Sequence, residues 1–356
     1  MSGRLDAGPA KRGETENTLT TRKRRVFSGT APSGRLTLGN LLGAVGRWTV
    51  LQYETDCLFS VVDLHAVTTE HDPRELAART REFATTLFAA GLNPDVCTVF
   101  VQGHVPEHLG LTWLMECTAY DGELRRMIQY REKARQESVR VSLLTYPALM
   151  AADILLYGAT EVPVGEDQRQ HVELARDLAL RFNHRYGETF VVPEVTLPRV
   201  AARLSDLQEP TRKMSKSDPD DAVGVIRLLD PPEVVRRKVA RAVTDSEREV
   251  RYDPGARPGV ANLLDLLAAF GDDGPEALAE RYASYGELKS DVTDAVVDAL
   301  RPIQERYRDL VADPGYVDTA LAVGAHHASD LAAPVLARAQ RNFGLLPLPA
   351  PAPSPA

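Results

Sequence analysis

Short apolar runs and longer amphipathic runs alternate over the first part of the chain. Residues 25–29 (RVFSG), 57–62 (CLFSVV) and 97–102 (CTVFVQ) are rich in β-branched or aromatic side chains, and each run predicts a buried strand. Helical patterns separate the three runs, and such an alternation builds a parallel sheet with right-handed crossovers. The pattern therefore predicts an α/β fold with a Rossmann-like, doubly wound sheet over residues 26–206. Ligands of such sheets bind at the carboxyl ends of the strands.

The clearest helix prediction follows the second strand. Asp72 is a suitable N-cap, Pro73 occupies the first helical position, and Gly91 ends the pattern. Phe83 and Leu87 fall on one face of this helix, which makes it amphipathic.

Beyond residue 220 the strand patterns end and four helical patterns follow one another, at residues 232–243, 260–270, 287–311 and 317–343. They predict a C-terminal all-helical domain over residues 221–346. The intervening loop, residues 207–220, has several charged residues and little reason to fold on its own. We expect this loop to be mobile.

Two tails lie outside the predicted fold. Residues 1–25 form a polar leader with scattered charges, and residues 347–356 form a proline-rich run that packs neither as helix nor as sheet. Both tails are expected to be disordered. The basic cluster at residues 22–25 is typical of a solvated leader, and the alternative is a contact with an RNA backbone.

Composition narrows the classes of protein. The 356 residues are 44% hydrophobic and 26% charged, which fits a soluble globular protein in the cytoplasm without a membrane span or secretion signal. Cys57, Cys97 and Cys117 are too far apart for a zinc site or a disulfide framework. A net charge of -8 argues against a protein coated in nucleic acid, but it allows a local basic surface for one structured RNA.

The first candidate for chemistry directly follows the first strand. Residues 28–48 (SGTAPSGRLTLGNLLGAVGRW) are rich in glycine and small hydroxyl residues, and then adopt a helical pattern. A helix that opens at the end of a strand favours an anion such as phosphate, to which Thr37 and Asn40 would add neutral donors. The alternative is a glycine-rich turn that binds nothing. The P-loop pattern GxxxxGK[ST] is absent.

A second motif occurs later in the chain and forms a pair with part of this turn. KMSKS at residues 213–217, taken with TLGN at residues 37–40, resembles the paired signatures of the class I aminoacyl-tRNA synthetases. Residues 143–183 (LLTYPALMAADILLYGATEVPVGEDQRQHVELARDLALRFN) resemble the amino-acid-binding segment of the bacterial tryptophanyl-tRNA synthetases. Further similar segments lie at residues 61–68, 122–133, 242–247 and 300–307. The resemblance covers residues 26–344.

The resemblance implies the reaction and its partners. Enzymes of this family join L-tryptophan to the α-phosphate of ATP, release pyrophosphate and pass the acyl group to the 2′-hydroxyl of the terminal adenosine of tRNA(Trp). The carboxylate is already a nucleophile, so the rate depends on in-line positioning and on cations near the phosphates. Mg²⁺ would bridge the phosphates without a dedicated protein cage. The family also implies a homodimer, with the helical domain on the tRNA anticodon.

The resemblance also implies roles for individual residues. Catalytic roles fall on Lys213, Lys216, Lys133, Thr37 and Asn40. The expected ATP contacts are Ala31, Pro32, Ser33, Gly39, Asn40, Gly165, Glu166, Asp167, Leu204, Lys213, Met214, Ser215, Lys216 and Ser217. In this scheme the lysine loop holds the departing pyrophosphate.

Tryptophan selection requires an apolar slot with one hydrogen-bond acceptor for the indole N–H. The resemblance makes Asp153 this acceptor, and it places around it Phe27, Gly29, Val62, His65, Tyr146, Met150, Val162, Val164 and Gln168. Without the resemblance, such Met and Val positions would indicate ordinary core, and His65 a structural histidine. Asp153 lies in a strongly apolar stretch, where an unpaired carboxylate is costly.

Three alternatives stay open at this stage. A tyrosyl-tRNA synthetase shares the fold and the loop, but its pocket must hold a phenol. A small nucleotidyltransferase of the same superfamily would need neither the helical domain nor the YPALMAAD segment. The third alternative is a duplicated synthetase that only binds tRNA or a partner. It rests on Ala31, because the common bacterial pattern has glutamine there, and this departure suggests an auxiliary second form of the enzyme.

Overall fold

The computed structural model describes residues 24–134, 139–196, 204–247 and 249–347. The expectations for the leader and the proline-rich tail therefore lie outside the described residues, except at Arg24, Arg25 and Pro347. Arg24 Nη2 donates to Glu161 at 2.9 Å, and Arg25 Nε donates to Asp56 at 2.9 Å. These two arginines of the basic cluster are thus paired with carboxylates of the protein.

In the described residues, the sheet has five parallel strands: β1 (Arg25–Thr30), β2 (Asp56–Val61), β3 (Thr98–Val101), β4 (Glu161–Pro163) and β5 (Glu194–Thr196). Their spatial order is β3-β2-β1-β4-β5. The first three strands confirm the three predicted runs. The last two, of three residues each, are too short to give a strand pattern in the sequence.

Nine α-helices accompany the strands in the described residues before β5: α1 (Leu38–Asn40), α2 (Gly46–Leu51), α3 (Asp63–Ala66), α4 (Pro73–Ala89), α5 (Glu107–Thr118), α6 (Asp121–Arg125), α7 (Ile128–Lys133), α8 (Val141–Leu155) and α9 (Arg169–Tyr186), with a π-helical stretch (Leu41–Val45) between α1 and α2. Short 3-10 turns cover Gln102–His104 and Glu166–Gln168. The predicted limits of α4 are confirmed, because Asp72 accepts a hydrogen bond from Arg74 N and Gly91 has a φ of 118°.

Alternate residues of the central strands face opposite sides of the sheet, as the pleat of a strand requires. Val26 and Phe59 join one apolar core with α2, α4 and the C-terminal helices. Phe27 and Leu58 join a second core with α5, α8 and α9. Helices therefore cover both faces, and the predicted doubly wound α/β fold is confirmed.

The described residues beyond 220 contain helices and no strand: α10 (Pro232–Ala240), α11 (Pro258–Ala268), α12 (Pro275–Ala279), α13 (Tyr285–Ala312) and α14 (Pro314–Phe343). The predicted helical region is thus confirmed, with shifted ends. Four of these helices begin at a proline, which suits the first helical turn. Only one of the four prolines, Pro232, was part of a predicted helical pattern, and α12 was not predicted.

The helical region packs closely on the sheet region. α13 lies along α4, and α14 returns to β3 and α5. A Cβ atom on Gly324 of α14 would lie 1.9 Å from the carbonyl oxygen of Val99 in β3, so only glycine allows this approach. In the described residues, no helix is long and apolar enough to cross a membrane.

The strand order fixes the position of the ligand crevice. β1 lies at the centre, and the order of the strands reverses between β1 and β4. In open α/β sheets, this switch point forms a crevice outside the carboxyl ends of the strands. Here these ends are Thr30 and Pro163, so the first turn, residues 30–37, lies at the crevice.

Candidate active site

The first turn leads into a capped helix start. Asn40 N donates to Thr37 Oγ1 at 3.3 Å, while Thr37 N donates to Asn40 Oδ1 at 3.0 Å. This reciprocal pair is a capping box, which explains why the helical stretch begins at Leu38. Thr37 is buried, and in the described residues the Asn40 amide nitrogen has no hydrogen-bond partner. Of the two predicted donors, Asn40 is therefore the one available to a ligand.

The lysine loop, residues 207–220, is docked against the first turn. Lys216 Nζ donates to Thr30 Oγ1 at 2.9 Å and to the carbonyl oxygen of Ala31 at 2.6 Å, and it lies 5.4 Å from the centre of the Phe83 ring. None of these partners is an anion. Burial without a counter-charge lowers the pKa of the Lys216 ammonium to about 8.

Backbone contacts reinforce this docking. A Cβ atom on Gly34 would lie 2.0 Å from the carbonyl oxygen of Lys216, so the turn and the loop touch at a point where a side chain does not fit. Met214 N donates to Leu204 O at 3.0 Å. Met214 and Leu204 are both buried, and their Cβ atoms lie near Gly39. The structure thus brings together these three expected ATP contacts.

The other expected ATP contacts differ in exposure. Ser33, Lys213 and Ser217 are exposed, Pro32 is buried, and Ser215 is half-buried with its Oγ accepting from Ser217 N at 3.2 Å. Lys133 is the last residue of α7, and the placement of its side chain lies outside the described structure.

The GEDQ segment follows β4, on the other side of the switch point. Gly165, Glu166 and Asp167 are exposed, and Gln168 Nε2 donates to Asp167 Oδ2 at 3.0 Å. The segment therefore lies at the expected edge of the sheet, without a described hydrogen bond to the lysine loop.

Asp153 is the centre of a buried hydrogen-bond network. Its side chain is 2% exposed. Oδ2 accepts from His65 Nε2 at 2.8 Å, and Oδ1 accepts from Gln102 Nε2 and His108 Nδ1, both at 2.6 Å. His108 Nε2 in turn lies 2.7 Å from the hydroxyl of Tyr157. We call these five residues the aspartate network.

The network keeps the Asp153 carboxylate charged. Burial alone would raise the pKa of Asp153, but the hydrogen bonds from His108 and His65 outweigh it and hold the pKa well below its usual range. A carboxylate offers about four acceptor positions, and the network uses three. One position on the Oδ2 side is left for another donor.

The expected tryptophan contacts come from several elements, and one of them, His65, bonds to this carboxylate. Tyr146, Met150 and Asp153 lie on α8 at helical spacing, Phe27 and Gly29 come from β1, and His65 from α3. Phe27 and Val162 are buried, and Met150 and Val164 are partly buried against the same core. Val62 lies close to Gly29, because a Cβ atom added at Gly29 would be 2.8 Å from Val62 Cγ1.

Tyr146 has a polar partner of its own. Its hydroxyl lies 2.7 Å from His171 Nε2 on α9, and its ring meets the His65 ring edge-on at 6.1 Å. Burial raises the pKa of Tyr146, so this phenol stays protonated. Tyr146 therefore links the aspartate network to α9.

Four residues of this site were not predicted from the sequence: Gln102, His108, Tyr157 and His171. Gln102 directly follows β3, so the rule on carboxyl ends of strands could have indicated it. His108 meets Asp153 and Tyr157 only through the packing of α5 on α8, for which the sequence has no local signal.

A cavity of about 320 Å³ lies beside the first turn, on the side of α4. The arginines that line it are paired with carboxylates, for example Arg35 with Glu82 at 2.7 Å. Its charges are thus balanced, which does not suit a triphosphate. In the described ranges, no group of three or more His, Cys, Asp or Glu residues could hold a metal ion.

Comparison with known proteins agrees with this geometry. The sequence model of the family described as tRNA synthetases class I (W and Y) matches residues 19–301. The chain is 61% identical to tryptophan–tRNA ligase 1 of Streptomyces avermitilis, over 91% of this chain and 99% of that protein. Its identity to tryptophan–tRNA ligase 2 of the same organism is 47%, over 91% of this chain and 97% of that protein.

A solved structure gives the same result. The tryptophanyl-tRNA synthetase of Campylobacter jejuni, in complex with ADP and tryptophan, superposes with a TM-score of 0.80 at 30% identity, over 90% of this chain and 100% of that chain. The paired motifs, the docked loop and these similarities lead to one conclusion: the chain belongs to the class I tRNA synthetases of the tryptophan and tyrosine family.

Proposed function

We propose that the chain is a tryptophan–tRNA ligase. It activates L-tryptophan with ATP to tryptophanyl-adenylate and pyrophosphate, and then transfers tryptophan to the 2′-hydroxyl of the terminal adenosine of tRNA(Trp). The observation that carries this proposal is the position of Lys216, whose ammonium sits at the carboxyl end of β1 beside the switch point. A cation there meets phosphates bound in the crevice.

ATP lies along the first turn and the lysine loop. Asn40 donates to the phosphates from the start of the helical stretch, and Gly39, Leu204 and Met214 border the base. Lys216, with Lys213 and Lys133, neutralises the charge that grows on the pyrophosphate. Because Lys216 now donates to neutral oxygens, its two hydrogen bonds exchange for bonds to phosphate oxygens when ATP is present. Mg²⁺ enters bound to the phosphates of ATP, as part of the substrate.

The aspartate network selects the amino acid. The indole N–H is a single donor, and the remaining acceptor position of Asp153 Oδ2 matches it. The partners of the carboxylate fix its orientation before the substrate arrives, which lowers the entropic cost of binding. Phe27, Val62 and Val162 supply the apolar walls, while Tyr146 and Gln168 contact the ammonium group.

The face of α5 supports a homodimer. Leu109 and Trp113 are 58% and 65% exposed, and Cys117 continues this exposed stripe of α5 at helical spacing. Tyr120, which follows the helix, is exposed as well. A contiguous apolar surface with an aromatic residue at its centre is typical of a protein interface. A second copy of the chain covers it in this proposal.

The proposal extends to the tRNA and to the place of the enzyme in the cell. The helical residues 221–346 contact the anticodon, and the protein acts in the cytoplasm. Ala31 and the similarity to a ligase numbered 1 in an organism with two such ligases support an auxiliary form of the enzyme.

ATP–pyrophosphate exchange with each of the twenty amino acids tests the proposal. We expect exchange with tryptophan and not with tyrosine, followed by charging of tRNA(Trp). Exchange with tyrosine would support the tyrosyl alternative. A folded protein that binds tRNA without any exchange activity would support the binding module.

A further inference from the structure

Arg227 is buried in an unusual way for an arginine. Its side chain is 2% exposed, and it is one of the largest fully buried side chains of the described residues. The only carboxylate within 4 Å in the described structure is that of Asp220, 3.9 Å from Arg227 Nε, which exceeds hydrogen-bond distance. The cation is therefore held without a close counter-charge.

The guanidinium instead donates to four backbone carbonyl oxygens. Arg227 Nη1 donates to Arg35 O at 3.0 Å and to Lys216 O at 3.4 Å, and Nη2 donates to Asp218 O at 2.6 Å and Pro219 O at 3.0 Å. Arg35 belongs to the first turn, and the other three acceptors belong to the lysine loop. One planar group thus joins the two segments that carry the paired motifs.

The backbone around Arg227 is tied to the same turn. Leu38 N donates to Ile226 O at 2.9 Å, and Leu228 N donates to Leu36 O at 3.0 Å. Arg227 N also donates to Asp230 Oδ2 at 2.9 Å. The backbone of Arg227 is therefore fixed to the first turn, and its side chain extends from there to the lysine loop.

This arrangement is poorly explained by stability alone. Burying a charge without a counter-ion is costly, and an apolar side chain of similar size usually fills such a position as well or better. What the apolar side chain lacks is the fork of donors, which binds several carbonyl groups at defined angles. The geometry therefore fits a residue whose role is to fix the position of the lysine loop.

We propose that Arg227 is a positioning residue that keeps the lysine loop docked and thereby sets Lys216 over the end of β1. It acts through the backbone of residues 216–219 and does not contact the substrates. This inference rests on the proposed role of Lys216 in activation. The nearby pair of Arg212 with Asp218, at 2.9 Å, is more exposed and contributes less to the docking.

Limited proteolysis with trypsin tests the docking without relying on activity. Trypsin cuts after Lys213 and Lys216 only when the loop leaves the turn, because Met214 is buried between them. We expect Arg227→Met to speed cleavage at these two sites by at least about tenfold, because the loss of one hydrogen bond from a charged donor already implies a change of this size. Arg227→Lys, which keeps the charge but not the fork, should give an intermediate rate.

Exchange kinetics supply the second readout. In Arg227→Met, kcat for exchange should fall and the KM for ATP should rise, while the dissociation constant for tryptophan stays unchanged. Arg257→Met is the matched control, since Arg257 is another arginine with a 3% exposed side chain but pairs with Asp245 in the helical region. This control should show neither effect.

Two results would overturn the inference. One is a folded Arg227→Met protein with wild-type cleavage and kcat; if that variant does not fold, the same result in Arg227→Lys counts equally. The other is equal acceleration of cleavage in Arg257→Met. Lys216→Ala separates the inference from the proposed function: normal exchange in that variant refutes the role of Lys216, whereas the cleavage rates still decide whether Arg227 holds the loop.

Discussion

Lys216 Nζ lies 2.6 Å from the carbonyl oxygen of Ala31. The lysine of the loop motif thus touches the residue at which the chain departs from the common bacterial pattern. The contact uses the backbone oxygen, which every residue offers, so it does not depend on the alanine side chain. A change of side chain at position 31 therefore alters the contacts to substrate and leaves this hydrogen bond in place.

The first prediction concerns Ala31→Gln. A glutamine amide at this position bonds to ATP or to the reacting carboxylate, whereas alanine offers only its methyl group and backbone. We expect a gain of about 1–2 kcal/mol, roughly tenfold, in kcat/KM for tryptophan or in the affinity for competing analogues. Exchange assays of both proteins with tryptophan and ring-substituted analogues measure it. If Ala31→Gln accepts fewer analogues but gains no activity, Ala31 serves to widen the mouth of the pocket. If the two proteins do not differ, Ala31 no longer supports an auxiliary form of the enzyme.

The second prediction separates chemistry from binding in the lysine loop. Lys213→Ala and Lys216→Ala each remove a cation that acts mainly as pyrophosphate leaves. Single-turnover kinetics should show a lower rate of activation with little change in tryptophan affinity. Lys289→Ala, in α13, is a suitable control because this lysine is bonded to carbonyl oxygens of residues 240 and 242. A loss confined to tryptophan affinity would contradict the assigned role.

The third prediction follows from the pKa of Lys216. Because this pKa is about 8, the ammonium of the free enzyme is charged below pH 8 and becomes neutral above it. The kcat/KM for ATP should therefore fall as the pH rises through 8, since this quantity reports the free enzyme. Lys216→Arg keeps its charge throughout this range and should shift the descending limb to higher pH. An identical descending limb in both proteins would assign the titration to another group.

A fourth prediction tests Asp153. Asp153→Ala removes the acceptor of the indole N–H and should weaken tryptophan use by about 2–3 kcal/mol, while ATP binding changes little. The same change leaves His65, His108 and Gln102 without their acceptor, so the protein also loses stability. Asp153→Asn keeps the size and one acceptor oxygen, and it serves as the comparison. Thermal denaturation measures the loss of stability, and tryptophan titration measures the loss of tryptophan affinity. An unchanged kcat/KM for tryptophan in a folded variant would refute the role assigned to Asp153.

The fifth prediction concerns assembly. Trp113→Asp places a charge at the centre of the exposed stripe of α5, and we expect it to convert a dimer into monomers in light-scattering measurements. Val311→Asp, at an exposed position near the end of α13, should leave the mass unchanged. A wild-type protein that is monomeric at micromolar concentration would argue against the dimer.

Sequence patterns and motifs predicted most of the frame of this molecule. β1, β2 and β3 were predictable because each is a run of β-branched or aromatic residues, whereas β4 has only three residues and ends in proline. Asp153 was identifiable because a carboxylate in an apolar helix needs a partner. The partners of Asp153 were not identifiable, because Gln102 and His108 reach its carboxylate from other elements of the fold.

Arg227 shows the limit of such predictions most clearly. In the sequence it stands between Ile226 and Leu228, and it has the appearance of an ordinary surface arginine. Its burial follows from the backbone pairing of this segment with the first turn, nearly two hundred residues earlier in the chain. Contacts of that range are set by packing and have no local pattern.

The close approach of α14 to β3 also bears on how the chain folds during synthesis. β3 leaves the ribosome more than two hundred residues before Gly324, the residue that packs on its backbone. Part of each face of the sheet therefore stays exposed until the last helix has been made, and the nascent chain carries uncovered apolar strands for most of its translation. We expect chaperones to bind the nascent chain in that interval. A chain truncated before residue 314 lacks α14 and leaves part of both apolar cores exposed to water.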